Sequence, residues 1–227
     1  MSHKFIKQNK YGYYFVPTSQ AERPVSQIIN DGNVFRPDVL NYLCDNVRNK
    51  DVIVVGTYFG SFLPAIARST FGRVHAFEAC KLNYGCSAAT LELNNIGNVE
   101  LVNKAVWSVD GHTTVVYKEG DALLGGAVYT TSELVAMENS RQVSCIKLDS
   151  LDLTTSGKQI LLYITVNNEA VMRILHGANE FLIKYSPQIV ISQFEPTATT
   201  EYLSTIGYNT VASFQEEGTN VYKRLTL

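Results

Sequence analysis

A run of branched apolar residues that empties into a glycine leaves a chain few choices. Residues 52–62 read VIVVGTYFGSF, with a second glycine four positions after the first. The apolar run is short and uninterrupted, which fits a strand buried on both faces. The glycine allows a sharp turn, and 61–71 reads as a helix whose Pro64 falls in the first turn, where proline is tolerated. Strand, glycine turn and helix make the opening unit of a doubly wound sheet, whose loops cradle ligands.

The same rhythm continues. Residues 74–77 read as a second strand ending at Glu78, 81–94 as a helix stopped by the turn Asn95-Ile96-Gly97-Asn98, and 99–102 as a third strand. Residues 113–117, 127–131 and 142–146 then have β composition with no good helix between them. An antiparallel excursion is therefore expected over about 107–147, with the turn EGDALLGGA between two of its strands. Alternation resumes with a strand over 160–166, a helix over 169–184, a strand over 187–194 and a short helix over 199–206 ending at Gly207. Residues 208–214 and 220–225 close as a hairpin. The expected fold is α/β: a Rossmann-like, doubly wound, mainly parallel sheet with an antiparallel terminal hairpin. A helix pattern starting at Pro37 opens this domain, over 37–227. Residues 1–36, with Tyr11, Tyr13, Tyr14 and Phe15 among polar neighbours, read as a leader or cap packing on its edge or in a contact between copies of the chain.

Composition narrows the function. A chain of 227 residues, 45% hydrophobic, can fill one α/β core. Its 19 Lys and Arg form no dense run and the net charge is −2, so general affinity for nucleic acid is not expected. No apolar run reaches the roughly 20 residues of a membrane span. The N-terminal stretch lacks the apolar core of a signal peptide, which points to the cytoplasm. Cys44, Cys80, Cys86 and Cys145 make no CxxC pair and read as free thiols, with no metal site.

Gly56 and Gly60 are spaced GxxxG, which serves close packing as readily as ligand approach. Glu78 adds weight, because an acid at the end of the second strand can accept hydrogen bonds from both ribose hydroxyls of an adenine nucleoside. The alternative for Glu78 is a solvated acid at a strand end. Its charge disfavours a 2′-phosphate. NAD and S-adenosylmethionine both fit these features, and the terminal hairpin favours the second.

The motifs in order, VIVVGTYFGSFLPAIA, GRVHAFEA, LELNNIGNVELVNKAVWSVDG, VSCIKLDSL and LLYITVNNEAVMRILHGANEFLIKYSPQIVI, resemble those of FkbM-type methyltransferases over about residues 50–195. That family's pattern is VIDVGANIG, GxVxAFEP, a helix ending LNG, NVxxxxxAVxxxxG, VxxxxLDxL and LLKIDVEGAE. The resemblance implies a class I S-adenosylmethionine-dependent fold and O-methylation of a hydroxyl on a sugar or small natural product. It implies that Gly56, Thr57, Tyr58 and Gly60 lie under the methionine part, that Glu78 holds the ribose, that Ala79 and Cys80 border the adenine, and that Lys104, Ala105 and Val106 lie along its other side, with Trp107 close. The chain departs from the pattern where the first motif's acid is Val54, and where IDVEGAE has become Ile164-Thr165-Val166-Asn167-Asn168-Glu169-Ala170.

A hydroxyl acceptor benefits from a general base, worth about 10²–10⁴-fold. Glu195 and Glu169 are the candidates on the strand-end side; Thr165, Asn167 and Asn168 can orient a substrate but cannot take its proton. Glu195 also reads as a plain loop acid beside Pro196. His75 reads as partly buried, His176 as a helix-end residue favoured by the dipole, and Asp149 as the organiser of a turn. No Ser/His/Asp set suits a hydrolase. Two expectations remain: an O-methyltransferase with an altered site, or a domain of that fold that has lost methyl transfer and serves binding or assembly.

Overall fold

The computed structural model describes residues 4–117, 128–129, 140–151, 153, 159–166 and 168–224. The central sheet has seven strands in the order β12-β13-β11-β10-β3-β4-β5. They are β3 (Lys50–Val55), β4 (Val74–Phe77), β5 (Val99–Val102), β10 (Gln159–Ile164), β11 (Gln188–Ser192), β12 (Tyr208–Phe214) and β13 (Thr219–Arg224). All run in one direction except β13, which is antiparallel to both of its neighbours, β11 and β12. The terminal hairpin thus forms, and its reversed strand lies inside the sheet rather than at the rim.

Alternation of side chains sorts the strands' residues onto two faces. Val52 and Val54 of β3, with Val74, Ala76, Leu161 and Tyr163, meet α2 (Pro37–Asn46) and α3 (Leu63–Ser69). Ile53 and Val55, with Phe77, Leu162, Ile164 and Ile191, meet α5 (Asn168–His176), α6 (Asn179–Tyr185) and α7 (Thr197–Thr205). Both faces are covered, so β3 is buried throughout from Asp51 to Val55. β3 pairs β4 on one side and β10 on the other. The loops leaving β3 and β10 therefore diverge at their carboxyl ends and open a crevice, the usual ligand position in such sheets.

The structure breaks the expected helix over 169–184 into α5 and α6. Gly177 causes this: a Cβ there would come within 2.1 Å of the Trp107 carbonyl oxygen, so the backbones meet too closely for a continuing helix surface. Asp149 settles the join. Its N–H donates to Gly177 O at 3.0 Å, and its Oδ1 accepts from Phe181 N at 2.8 Å, capping α6 from another element.

Residues ahead of α2 fold rather than trail. β1 (Lys4–Asn9) and β2 (Gly12–Pro17) form an antiparallel hairpin, followed by α1 (Pro24–Asn30). The hairpin docks on α4 (Lys81–Leu93) through Asn94, which accepts from Tyr13 N at 3.1 Å and donates to Tyr13 O at 2.7 Å, and through Thr90, whose Oγ1 accepts from Phe15 N at 3.0 Å. A second sheet joins β6 (Ala105–Val106), β9 (Ser140–Ile146), β7 (Gly111–Tyr117) and β8 (Val128–Tyr129) in that order. The turn EGDALLGGA lies outside the described residues.

Candidate functional site

The loop after β3 is held by its own chain. Gly56 (φ 84°) and Gly60 (φ 87°) both sit in the left-handed region. A Cβ on Gly56 would lie 2.5 Å from Thr165 O, and one on Gly60 would lie 3.3 Å from Ser87 Cα. Close packing thus requires glycine at 56, and the left-handed backbone favours it at both positions, whatever ligand the loop meets. Tyr58 adopts φ 55° without being glycine, at a cost of roughly 1–2 kcal/mol. Its N–H donates to Glu78 Oε2 at 2.8 Å, a charge-assisted bond worth about 1.5–3 kcal/mol that offsets the strain. Thr57 is buried, with its hydroxyl 3.1 Å from that of Ser87, which itself donates to Tyr58 O at 2.9 Å.

Glu78 is the hub. Its other oxygen, Oε1, accepts from Cys80 N at 2.9 Å, so one carboxylate ties the loop after β3 to the start of α4. The residue is only 7% exposed, which excludes the solvated-acid alternative. Burial pushes its carboxyl pKa up to about 7, against the pull of backbone donors at Cys80, Tyr58 and Thr57 and of the Asn83 side chain. Tyr58 N and Cys80 N make full hydrogen bonds to it, and Thr57 N and the Asn83 side chain lie close by, so a ligand hydroxyl that reaches Glu78 shares the carboxylate with these donors.

The residues after β5 come to the same place. Glu78 N donates to Val102 O at 3.1 Å, and Asn103 Nδ2 donates to Glu78 O at 2.7 Å and Ala79 O at 3.2 Å. Lys104 N turns back to Val102 O at 3.0 Å; Ala105 and Val106 pair with β9, and Trp107 is buried with its N–H on Ile146 O at 2.9 Å. The structure therefore brings Gly56, Thr57, Tyr58, Gly60, Glu78, Ala79, Cys80, Lys104, Ala105 and Val106 to neighbouring carboxyl ends of β3, β4 and β5. Sequence reasoning missed Asn103 and Asn83. Asn83 is buried and accepts from Gln20 Nε2 at 3.1 Å, joining the leader to α4 beside Glu78. No motif marks either one, although each is a polar residue directly beside a strand end or helix start.

The β10 and β11 ends differ. Val54 is 1% exposed and packs with Phe62 and Tyr163 in the apolar cluster under α2 and α3. Tyr163 stacks on Phe62 with ring centres 5.6 Å apart and planes 9° from parallel. Its hydroxyl lies 3.2 Å from Ser192 Oγ, which lies 3.0 Å from Thr219 Oγ1. Burial raises the Tyr163 pKa, while the positive charge of Arg36 opposes that rise. Thr165 is half-buried and its N–H donates to Val55 O at 2.9 Å. Asn167 and the side chain of Glu169 lie outside the described residues. Glu195 is exposed on the loop between β11 and α7.

The remaining candidates are committed elsewhere. His75 Nδ1 lies 3.0 Å from Glu100 Oε2, and His176 sits edge-on to Tyr202 with ring centres 5.4 Å apart. None of the four cysteines forms a disulfide. Among the described residues, no group of three or more His, Cys, Asp or Glu could hold a metal ion, and no helix is long and apolar enough to cross a membrane.

No family model and no curated protein sequence matches the chain. Solved structures do resemble it in shape. A ribosomal protein L11 methylase from Lactobacillus delbrueckii subsp. bulgaricus aligns with a TM-score of 0.50 and 13% identity, over 83% of this chain and 78% of that one. An rRNA methylase from Streptococcus thermophilus aligns with a TM-score of 0.49 and 12% identity, over 85% and 99%. TYW2 from M. jannaschii, in complex with AdoMet, aligns with a TM-score of 0.49 and 10% identity, over 99% and 88%. With its strand order and single reversed strand, the chain has the class I methyltransferase fold.

Proposed function

We propose that this chain is an S-adenosylmethionine-dependent methyltransferase of FkbM type, which O-methylates a hydroxyl on a sugar or small natural product. One observation carries the cofactor reading: the Glu78 carboxylate is buried just past the end of β4, braced by the N–H groups of the two loops that would flank a nucleoside. The two ribose hydroxyls of the cofactor donate to that carboxylate beside these N–H groups. Gly56, Thr57, Tyr58 and Gly60 then lie under the methionine part, and Ala79, Cys80, Lys104, Ala105 and Val106 border the adenine. The leader, residues 1–36, acts as a cap on this side.

When bound, the cofactor supplies an electrophilic sulfonium methyl. The chain's own part is to place an acceptor hydroxyl in line, exclude water and take one proton. Tyr163 and Thr165 orient the acceptor, and the rings of Phe62 and Phe194 exclude water from it. Glu195 takes the proton from the acceptor oxygen.

A second reading has its own support. Val54 sits in a wholly apolar cluster where an acid would help order the methionine ammonium, which favours a domain that binds its ligand without turnover.

Thermal unfolding with S-adenosylmethionine, S-adenosylhomocysteine and NAD tests the cofactor. At 100 times Kd, binding should stabilise by about 2.7 kcal/mol, and Glu78→Ala should lose most of that gain. No shift with either adenosyl ligand would sink the reading. Turnover is then sought on a panel of hydroxylated glycans and natural products. Glu195→Gln should lower kcat by about 10²–10⁴-fold while adenosyl binding persists. Binding without turnover on any acceptor would favour the binding module.

A further inference from the structure

Arg36 stands immediately before α2 with φ 48° and ψ 64°, a left-handed conformation that a non-glycine residue holds at a cost. Its guanidinium carbon lies 5.3 Å from the ring centre of Phe35 and 5.7 Å from that of Phe194. Both contacts are cation–π distances. Phe194 directly follows the loop start after β11 and is 69% exposed. Its ring lies against Gly218, where an added Cβ would come within 2.7 Å, and Gln193 N fixes that turn by donating to Gly218 O at 2.6 Å. Phe35 lies 6.3 Å from Phe62, whose ring also stacks on Tyr163. The guanidinium is thus held at the carboxyl ends of β10 and β11, beside the Tyr163 hydroxyl and Thr165.

Aromatic faces, not acids, hold this cation. Among the described residues, no carboxylate comes within ion-pair distance of Arg36. Glu217 reaches the start of α2, but its oxygens accept from Asp38 N at 3.2 Å and Val39 N at 2.8 Å. The helix N-terminus is therefore capped already, and the available donors are those of the guanidinium. The guanidinium also lies against the Tyr163 hydroxyl, which takes up one of its donors; the donors that remain can grip a carboxylate or phosphate with two parallel bonds.

We propose that Arg36, between Phe35 and Phe194, binds a carboxylate or phosphate group of a small acceptor, so that the acceptor is an anionic molecule with an apolar or planar body. The word acceptor rests on the methyltransferase reading; the anion site rests on the geometry around Arg36 alone.

The probes are benzoate, phenyl phosphate and neutral benzyl alcohol, titrated by calorimetry and ligand-observed NMR with and without S-adenosylhomocysteine. Benzoate or phenyl phosphate should bind at least about tenfold more tightly than benzyl alcohol, and which one binds better identifies carboxylate or phosphate. Arg36→Gln should erase that preference, Arg36→Lys should keep part of it, and Phe194→Ala, at an exposed position, should weaken anion binding. S-adenosylhomocysteine binding should be unchanged in Arg36→Gln, which also shows that the variant is folded. Equal binding of benzyl alcohol, or undiminished anion binding in both Arg36→Gln and Phe194→Ala, would overturn the site. Tighter Arg36-dependent binding of a short oligoribonucleotide than of phenyl phosphate would overturn the small-molecule assignment. Failure of S-adenosylhomocysteine to bind, with the anion preference intact, would strike the methyltransferase reading and leave the anion site standing.

Discussion

The two sides of the crevice are built from different chemistry. Beside β3 and β4, a buried carboxylate collects backbone donors and fixes a strained loop. Beside β10 and β11, stacked aromatic rings, hydroxyls and a cation take over. On the methyltransferase reading the contrast has a plain meaning. One side meets a cofactor whose ribose is the same in every reaction, so its hydrogen-bond acceptor must stay. The other meets an acceptor of particular charge and shape, so its side chains are free to follow that acceptor.

Several substitutions would break or sharpen this contrast. Val54→Asp has the largest expected effect. It puts a carboxylate at a position 1% exposed among apolar side chains, and it should destabilise by about 4 kcal/mol or more in urea unfolding at pH 8. A tolerated aspartate would mean that a polar partner reaches Val54, and the two sides would no longer differ. Gly56→Ala follows, at about 3 kcal/mol, because the new Cβ meets Thr165 O at 2.5 Å in a left-handed backbone. Gly56 is where the two sides touch, so a small loss would show that they are not rigidly joined.

Glu78 adds a pH signature. Its folded pKa of about 7 lies above the ordinary 4.5, so the folded state holds the extra proton between those values. Stability should fall as pH rises from about 4.5 through about 7, by on the order of 3 kcal/mol. Glu78→Gln should flatten the urea-unfolding profile over that window. An unchanged profile would assign the pH dependence to another group.

Much of the fold is legible in the sequence because parallel strands buried on both faces leave unbroken apolar runs. β3, β10 and β11 therefore stand out. The break at Gly177 is not legible, because it depends on Trp107, which is distant in sequence. The β1–β2 hairpin is obscured by aromatic and polar residues whose partners lie on α4. At the site, Glu78 and the glycines are legible from position. Their hydrogen bonds are not, and the glycines turn out to answer to Thr165 and Ser87. Arg36 carries no local signal, since its neighbours Phe194 and Tyr163 come from the far end of the chain.

The central claim is that Glu78 accepts the ribose hydroxyls of an adenosyl cofactor, and calorimetry of S-adenosylhomocysteine binding between pH 6 and pH 8 tests it most directly. Hydrogen bonds from the ribose favour the charged carboxylate, so binding should expel the proton that burial retains below about pH 7. The account predicts affinity about tenfold weaker at pH 6 than at pH 8, proton release seen as a dependence on buffer ionisation enthalpy, and loss of both in Glu78→Gln. Tight binding that is independent of pH and unaffected by Glu78→Gln would contradict it.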